Sequence, residues 1–359
     1  MRLTELLKTD QVTISCELFP PKQGAQLANY KNIVADMAAL KPAYMSVTYG
    51  ATGGTSDYTV ELASEVEKHQ IPALAHLTCA SSTKEKVASV IEELKEKQIS
   101  NILALRGDIP QNADFPLPNQ YRHAGELIAD IKAQGDFCIG GACYPEVHPE
   151  SKNRVEDLEH LKQKVDCGVD FLTTQMFFDN TVFYNFREMC AIKGIDVPLI
   201  AGIMPITKAS QLERTVKLSG CSLPTKFVKI VERFGDRDDA MQQAGIVYAA
   251  AQIIDLKALM GDKSDNIPGV PGIGEKTALD LVRRFGTVEN IYANLETPDI
   301  KDSVRKKLDA GRESAKMSYT LATISRDAPI ELDPAEAAWK ADFGPELYEV
   351  LNRLGFRKF

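Results

Sequence analysis

Leu103-Ala-Leu-Arg-Gly-Asp-Ile-Pro110 is a short apolar segment that ends in charged and turn-forming residues. An apolar run of this length predicts a strand buried on both faces of a sheet. Proline has no amide hydrogen to donate, so Pro110 ends the ladder of hydrogen bonds. Arg106 and Asp108 therefore stand at the carboxyl end of a buried strand, which predicts that this end opens onto a functional site.

Six further apolar segments repeat this plan, with amphipathic helices between them. Besides the opening segment, strands are predicted at about 13–19, 44–50, 73–79, 137–144, 171–178 and 199–204. Helices are predicted at about 29–40, 58–69, 84–97, 122–134, 152–167, 181–193, 208–218 and 241–256. Strands that alternate with helices predict parallel pairing with right-handed crossovers.

A doubly wound sheet and a (β/α)₈ barrel both fit this alternation. The barrel is favoured because polar residues stand at most of the strand ends, and barrel active sites are assembled from many strand ends. These residues are Glu17, Thr48, His76, Asp108, Tyr144 and Gln175. The first strand has no GxGxxG after it, which argues against a dinucleotide-binding doubly wound fold.

An eighth β/α unit does not follow the predicted helix 241–256. The chain continues instead as GDKSDNIPGVPGIGEKTA, residues 261–278, and then as helical segments at about 276–285, 287–294, 301–310, 312–322 and 345–354. We therefore expect an α/β chain with a TIM-type barrel of seven recognisable β/α units in residues 1–254. A small all-α helix-hairpin-helix domain is expected in residues 255–359.

Composition limits the classes of function. The 42 basic and 50 acidic residues give a net charge of −8, so no global positive field favours nucleic acid or an anionic membrane. The seven cysteines are odd in number and form no CxxC pair, which predicts reduced thiols and argues against a zinc site. The N-terminus lacks an apolar signal core and no run is long enough to span a membrane, so we expect a cytoplasmic protein.

Two carboxylates among the strand ends are candidates for catalysis. Glu17 lies in a mostly apolar setting, where desolvation raises the pKa of a carboxyl group and permits a general acid, but a salt bridge at the rim fits equally well. Asp108 beside Arg106 is expected to be an ionised, fixed carboxylate or half of a structural ion pair. His76 and His148 fit phosphate binding, ring stacking or the core, and Gln175 fits amide recognition or backbone satisfaction.

Seven motifs of the first region resemble the bacterial methylenetetrahydrofolate reductases, in the same order, over about residues 12–254. They are CELFPPK at 16–22, SVTYGA at 46–51, AHLTC at 75–79, ALRGD at 104–108, YPEVHPE at 144–150, TQMFFD at 174–179 and AGIMPI at 201–206. The resemblance implies a TIM barrel that binds FAD and reduces 5,10-methylenetetrahydrofolate to 5-methyltetrahydrofolate with NADH or NADPH. It also implies a homo-oligomer.

The resemblance assigns roles residue by residue. Glu17 would be the general acid that opens the imidazolidine ring, Asp108 would lie near flavin and pterin, and Gln175 would bind folate and position the nicotinamide. The FAD contacts it implies are Thr48, Tyr49, His76, Arg106, Gly107, Asp108, Ala124, Tyr144, His148, Asp157 and Lys164. Two features depart from the family: the loop at 207–210 lacks an aromatic residue, and the eighth β/α unit is absent.

The second region resembles the end of the 5′ nuclease domain of bacterial DNA polymerase I, from about residue 252 onward. Glycines let the backbone approach a phosphate, and amides at a helix N-terminus can bind it. The candidate DNA contacts are Gly269, Gly272, Gly274, Lys276, Thr277 and Lys306, with further phosphates at Lys301, Arg305 and Lys307. The resemblance also makes Asp262 and Asp265 metal ligands, although most carboxylates of that nuclease site are missing.

The chain therefore resembles a chimera of a truncated reductase and a DNA-binding fragment. Three hypotheses follow: a flavin-dependent reductase, a module that binds duplex or branched DNA without chemistry, or an inactive fusion. The third arises because a seven-stranded barrel leaves two strand edges unpaired. The segment 319–325 is a candidate for the missing eighth strand.

Overall fold

A computed structural model of the chain describes residues 1–8, 13–21, 27–49, 56–80, 82–109, 115–260 and 269–322. The described residues belong to one compact unit, Met1–Ala322. Its centre is a single parallel sheet of seven strands in the order of the sequence. The strands are β1 (Cys16–Leu18), β2 (Met45–Val47), β3 (Ala73–Thr78), β4 (Asn101–Leu105), β5 (Cys138–Cys143), β6 (Phe171–Thr174) and β7 (Leu199–Ile200).

The predicted seven-stranded TIM-like architecture is thus confirmed, with helices between the strands and a helical region after them. Ten helices accompany the strands: α1 (Leu3–Leu6), α2 (Leu27–Ala39), α3 (Ser56–Lys68), α4 (Lys84–Glu96), α5 (Ala124–Gln134), α6 (Arg154–Asp166), α7 (Asn180–Ile192), α8 (Ser210–Ser219), α9 (Thr225–Phe234) and α10 (Asp238–Met260). The helical region contains α11 (Glu275–Phe285), α12 (Val288–Ala293), α13 (Asp302–Ala310) and α14 (Arg312–Ala322).

Two sequence predictions need correction. Helix α9 is absent from the predicted elements, although Pro224 stands at its N-cap and Phe227 and Val231 have helical spacing. The segment 319–325 is not an eighth strand where it is described, because residues 319–322 form the last turn of α14. The predicted helix 345–354 lies outside the described residues.

Alternation along the strands separates two faces of the sheet. Val47, Leu77 and Ile102 belong to the core between the sheet and its surrounding helices. The other set of positions forms a smaller cluster in which Leu74 and Leu103 pack with Leu3 of the N-terminal helix α1. Because the side-chain period of a strand is two, the polar residues His76 and Glu17 fall in this second set.

The helical region is packed against the sheet's own helices. Phe183 of α7 and Leu281 of α11 are buried in one cluster, and Leu199 of β7 contacts its edge. Helix α10 runs without interruption through the predicted boundary at residue 254, and Tyr248 and Gln252 of α10 donate hydrogen bonds to Phe178 O and Phe177 O. Residues 269–322 therefore cover the flank beyond β7.

Two further observations concern the cysteine thiols and the length and apolarity of the helices. All seven cysteines are free thiols. In the described segments no helix has the length and apolarity needed to cross a membrane.

Candidate functional site

A cavity of about 1470 Å³ opens at the carboxyl ends of the strands. Such ends meet at one rim because the strands are parallel. All residues carried over as FAD contacts line this cavity: Thr48, Tyr49, His76, Arg106, Gly107, Asp108, Ala124, Tyr144, His148, Asp157 and Lys164. Residues separated by more than a hundred positions in sequence are thus brought to one site.

His76, on β3, presents a buried polar atom to the cavity. Its residue is 7% exposed, and its Nε2 has no hydrogen-bond partner among the described residues. Burial lowers the pKa of His76 to about 4, so the ring is neutral at pH 7. The hydroxyl of Tyr49 is buried and unpartnered in the same way. Buried polar atoms normally have partners, so both atoms are available to a ligand.

Arg106 forms a bidentate ion pair across the cavity rim. Its two terminal nitrogens donate to the carboxylate of Glu150, at 2.6 Å each. The alternative that Asp108 is half of an ion pair with Arg106 is not supported, because Glu150, from the loop after β5, pairs with the guanidinium in a planar fork. Asp108 lines the cavity as an exposed residue.

The loop after β5 carries two rings into the cavity. The rings of Tyr144 and His148 meet edge to face, with centroids 4.5 Å apart. The backbone N–H of Glu150 donates to His148 Nδ1 at 3.1 Å, and burial lowers the pKa of His148. This ring is thus held as a neutral acceptor at one nitrogen, while the side chain of Gln175 lies beside Tyr144.

Helix α6 closes one side of the cavity. Asp157 and Lys164 lie seven positions apart, which places them on one helix face. Lys164 Nζ donates to Ala142 O at 2.7 Å, and burial lowers the pKa of Lys164. Asp157 is buried and accepts a hydrogen bond from Ser151 Oγ at 3.1 Å. Sequence reasoning missed His160 and Gln163, which line the cavity from the same helix and could have been found from this spacing.

Glu17 and Gln175 are not among the residues that line the cavity. Glu17 pairs in register with Ser46 on the next strand, and Phe19, two positions further, does line the cavity. Although Glu17 is an exposed residue by surface area, desolvation raises the pKa of its carboxyl group. Water therefore reaches part of the residue, while nearby protein disfavours its charged form. Within the described residues Glu17 forms no ion pair, so the alternative of a rim salt bridge is not supported.

The glycine turn of the second region is held by its own helices. Gly269 N–H donates to Ser318 Oγ at 2.8 Å, and Gly269 O accepts from Ser314 Oγ at 2.6 Å. Lys307 Nζ donates to Gly272 O at 3.2 Å. Gly274 is the N-cap of α11 and has open space where a side chain would lie.

The remaining candidate DNA contacts of the second region lie on α11 and α13. Thr277 is half-buried in the first turn of α11, Lys306 is exposed on α13, and only the backbone of Lys276 is described. Asp262 and Asp265 lie outside the described residues. Among the residues that are described, no group of three or more His, Cys, Asp or Glu is arranged to hold a metal ion.

Two family profiles match the chain. One, described as methylenetetrahydrofolate reductase, matches residues 2–263. The other, described as the C-terminal SAM fold of 5'-3' exonuclease, matches residues 248–342. Their overlap falls within α10 and the residues that follow it.

Individual relatives agree with the first profile. A 5,10-methylenetetrahydrofolate reductase from Pectobacterium carotovorum is 32% identical over 276 residues, which is 69% of this chain and 91% of the relative. The enzyme of the same name from Escherichia coli K12 is 33% identical over 66% of this chain and 78% of its own length. Methylenetetrahydrofolate reductase 2 of Schizosaccharomyces pombe is 33% identical over 89% of this chain, which spans only 50% of the yeast protein.

One solved structure shares the fold. It is described as an uncharacterized protein from Clostridium thermocellum that binds two copies of 5-methyl-5,6,7,8-tetrahydrofolic acid. The TM-score is 0.51 with 14% sequence identity, over 89% of this chain and 99% of that one. At this identity the likeness concerns the fold alone.

Proposed function

This chain belongs to the methylenetetrahydrofolate reductase family of oxidoreductases, and we propose that it reduces 5,10-methylenetetrahydrofolate to 5-methyltetrahydrofolate with NADH or NADPH and bound FAD. The observation that carries the proposal is the strand-end cavity, where every residue that the family resemblance assigns to FAD is a lining residue. The relatives from Pectobacterium carotovorum and Escherichia coli are named 5,10-methylenetetrahydrofolate reductases, which supports the choice of substrate.

The cavity fits a dinucleotide in size and in polarity. Its volume of about 1470 Å³ exceeds the roughly 300–1,000 Å³ usual for small-molecule sites. His76 Nε2 and the Tyr49 hydroxyl are buried without partners, as expected of groups that meet a ligand. Gly107 lines the cavity with φ of +83°, a conformation that L side chains rarely adopt, and a Cβ there would meet Thr78 Cβ at 3.0 Å, so this part of the cavity wall requires glycine.

The protein's contribution is binding and orientation. When bound, a flavin supplies acceptance and donation of a hydride. His76, Tyr49 and Lys164 would hold it in the cavity, with the neutral His76 ring as a hydrogen-bonding rather than a charged group. Tyr144 and His148 would contact one side of the flavin, because their edge-to-face contact fixes the position of both rings.

Glu17 is proposed as the proton donor to folate. Its raised pKa keeps a larger fraction protonated near neutral pH than an ordinary carboxyl group has. Donation of this proton to a nitrogen of the imidazolidine ring would open the ring to an iminium cation. Asp108 is proposed to stabilise that cation, and Gln175, held beside Tyr144, is proposed to bind folate. Two carboxyl groups with different environments thus divide the acid and electrostatic roles.

The test is the visible spectrum of the purified full-length protein. We expect bound flavin absorbance that NADH or NADPH bleaches without oxygen and that methylenetetrahydrofolate restores. A protein that stays colourless after incubation with FAD would refute the proposal. A flavin that is reduced but never reoxidised by methylenetetrahydrofolate would refute the assigned substrate.

A second candidate function rests on the match of residues 248–342 to the nuclease C-terminal fold. We propose that α11 and α13 contact duplex or branched DNA through the exposed turn at Gly274 and through Lys306. Lys276 and Thr277 would contribute from the start of α11. With a net charge of −8 on the whole chain, binding would be weak and sensitive to salt. A mobility-shift titration at low and moderate salt tests it.

A further inference from the structure

The cavity lining carries more negative than positive side chains. Among the described residues that line it, the lysines and arginines are Arg106 and Lys164. Its carboxylates are Asp108, Glu126, Glu150 and Asp157. Among the described lining residues, a ligand that bears phosphate groups therefore meets four carboxylates and two basic side chains, and its affinity depends on what those two side chains contact.

Lys164 and Arg106 differ in their hydrogen-bond partners and in their exposure to solvent. Lys164 is buried, donates to Ala142 O, and has a pKa lowered by desolvation. Arg106 lies nearer the rim, with 21% of its side chain exposed, and its planar fork is occupied by Glu150, whose side chain is 58% exposed. Arg106 is thus the cation within reach of an entering phosphate, and a carboxylate already occupies the geometry that the phosphate would use.

We propose that Glu150 is a latch on the cofactor cavity: its carboxylate competes with the phosphates of the dinucleotide for Arg106 and thereby lowers cofactor affinity. The inference rests on the proposed function for the identity of the ligand. Glu150 can exchange Arg106 for water because its side chain is 58% exposed, so its carboxylate is hydrated again when the pair opens. Its backbone N–H stays on His148 Nδ1 while the side chain moves, so the loop need not rearrange.

The latch also makes affinity depend on the phosphates of the ligand. A flavin without phosphate does not need Arg106, so it binds whether the Arg106–Glu150 pair is closed or open. FAD carries two phosphates, so it gains Arg106 only when Glu150 is displaced. Removing the charge of Glu150 should therefore improve binding of FAD and leave riboflavin unaffected.

The experiment is a fluorescence titration of flavin-free, full-length Glu150→Gln with FAD and with riboflavin. We expect the Kd for FAD to fall about three- to tenfold relative to the unmodified protein, and the Kd for riboflavin to stay within about twofold, since only the phosphate contact changes. Glu126→Gln is the matched control. Glu126 also lines the cavity, but its carboxylate accepts from the backbone N–H of Arg122 and not from Arg106. We expect a smaller change for this control.

An unchanged or weaker affinity of Glu150→Gln for FAD, in protein with an unaltered melting temperature, would overturn the latch and make Glu150 a support for Arg106. An equal gain with riboflavin would overturn it too. If the unmodified protein bound neither flavin, the proposed function would fail on its own. The latch would then be tested with inorganic diphosphate, which should raise the melting temperature of Glu150→Gln more than that of the unmodified protein. Equal shifts would overturn it.

Discussion

The strand-end cavity and the helical region 269–322 differ in the hydrogen-bond partners of their polar side chains. In the cavity, His76 Nε2 and the Tyr49 hydroxyl are buried without partners, and burial shifts the pKa of Lys164 downward. In the helical region, Thr297 Oγ1 is also buried without a partner, but several basic side chains donate to the region's own backbone. Arg305 donates to Leu295 O, Thr297 O and Ile300 O, and Lys307 donates to Gly272 O.

The cavity therefore has polar atoms that a ligand can satisfy, whereas several basic side chains of the helical region stabilise that region by bonding to its backbone. An unpartnered buried polar atom costs free energy unless a ligand satisfies it. Among the described residues, Glu146 Oε1, Thr173 Oγ1 and Thr297 Oγ1 are also buried without partners, but only His76 Nε2 and the Tyr49 hydroxyl belong to residues that line the cavity, where a ligand can reach them. The basic residues of the helical region were expected to hold phosphates, but Arg305 and Lys307 already have partners. The case for chemistry is therefore strong in the first region, and DNA binding in the second depends on Gly274, Lys276, Thr277 and Lys306.

The largest expected effect is at Glu17. We expect Glu17→Gln to lower the rate at which methylenetetrahydrofolate reoxidises reduced flavin by about 10²–10⁴-fold, because general acid catalysis contributes that much. The reduction of flavin by NADH should remain. In the unmodified protein the folate step should slow as pH rises through the raised pKa of Glu17, since the protonated form is then lost. Stopped-flow measurement of the two half-reactions checks this, and equal losses in both would contradict the assignment.

The next effect tests whether the two regions unfold together. Leu281 of α11 is fully buried in the cluster that includes Phe183 of α7. We expect Leu281→Ala to lower the free energy of unfolding by about 2–5 kcal/mol within a single calorimetric transition. Leu321→Ala is the control, since Leu321 is 55% exposed, and it should cost far less. Two transitions, of which only one moves, would show that the regions are independent.

A smaller effect concerns the apoprotein at acidic pH. Because burial lowers the pKa of His76 to about 4, the unfolded chain binds a proton at higher pH than the folded chain. Stability should therefore decrease as pH falls from 7 towards 4.5, with His76 accounting for about 2 kcal/mol of the loss. Denaturant unfolding of His76→Gln at both pH values should show a loss smaller by that amount. An identical loss in both proteins would mean that His76 is not desolvated in solution.

The smallest effect concerns DNA. We expect Lys306→Glu combined with Lys276→Glu to weaken binding to nicked duplex and to reduce the slope of log affinity against log salt by about one per lost phosphate contact. Lys97→Glu combined with Lys229→Glu changes net charge by the same amount and serves as the control, since Lys97 follows α4, Lys229 lies on α9 and both are exposed. If the two double variants behaved alike, binding would reflect total charge and not the assigned surface.

Much of the fold could be predicted from the sequence because local patterns encode it. Seven apolar runs that alternate with helical periodicity predicted the seven parallel strands in their order. Helix α9 was missed even though Phe227 and Val231 have the correct spacing. The boundary expected at residue 254 lies inside α10, where the sequence offers no break in helical pattern.

The sequence predicted many of the residues that line the candidate site, but not the residues with which they form hydrogen bonds and ion pairs. The strand ends supplied His76 and Asp108, and the family resemblance supplied Asp157 and Lys164. The partner of Arg106 could not be predicted, since Glu150 lies forty-four positions away and only folding brings it near. His160 and Gln163 were missed because residues on a surface helix are usually solvated.

The amino-acid sequence by itself determined the order of the elements, the alternation of strand faces and the family to which the chain belongs, because these depend on periodicity and on matched residues. The tertiary structure decided which polar atoms are left without partners and which cation is paired with which carboxylate. Those properties depend on desolvation and on distances between residues far apart in the chain. At the opening segment, the sequence placed Arg106 and Asp108 together at the end of β4, and the fold joined Arg106 to Glu150 and left Asp108 facing the cavity.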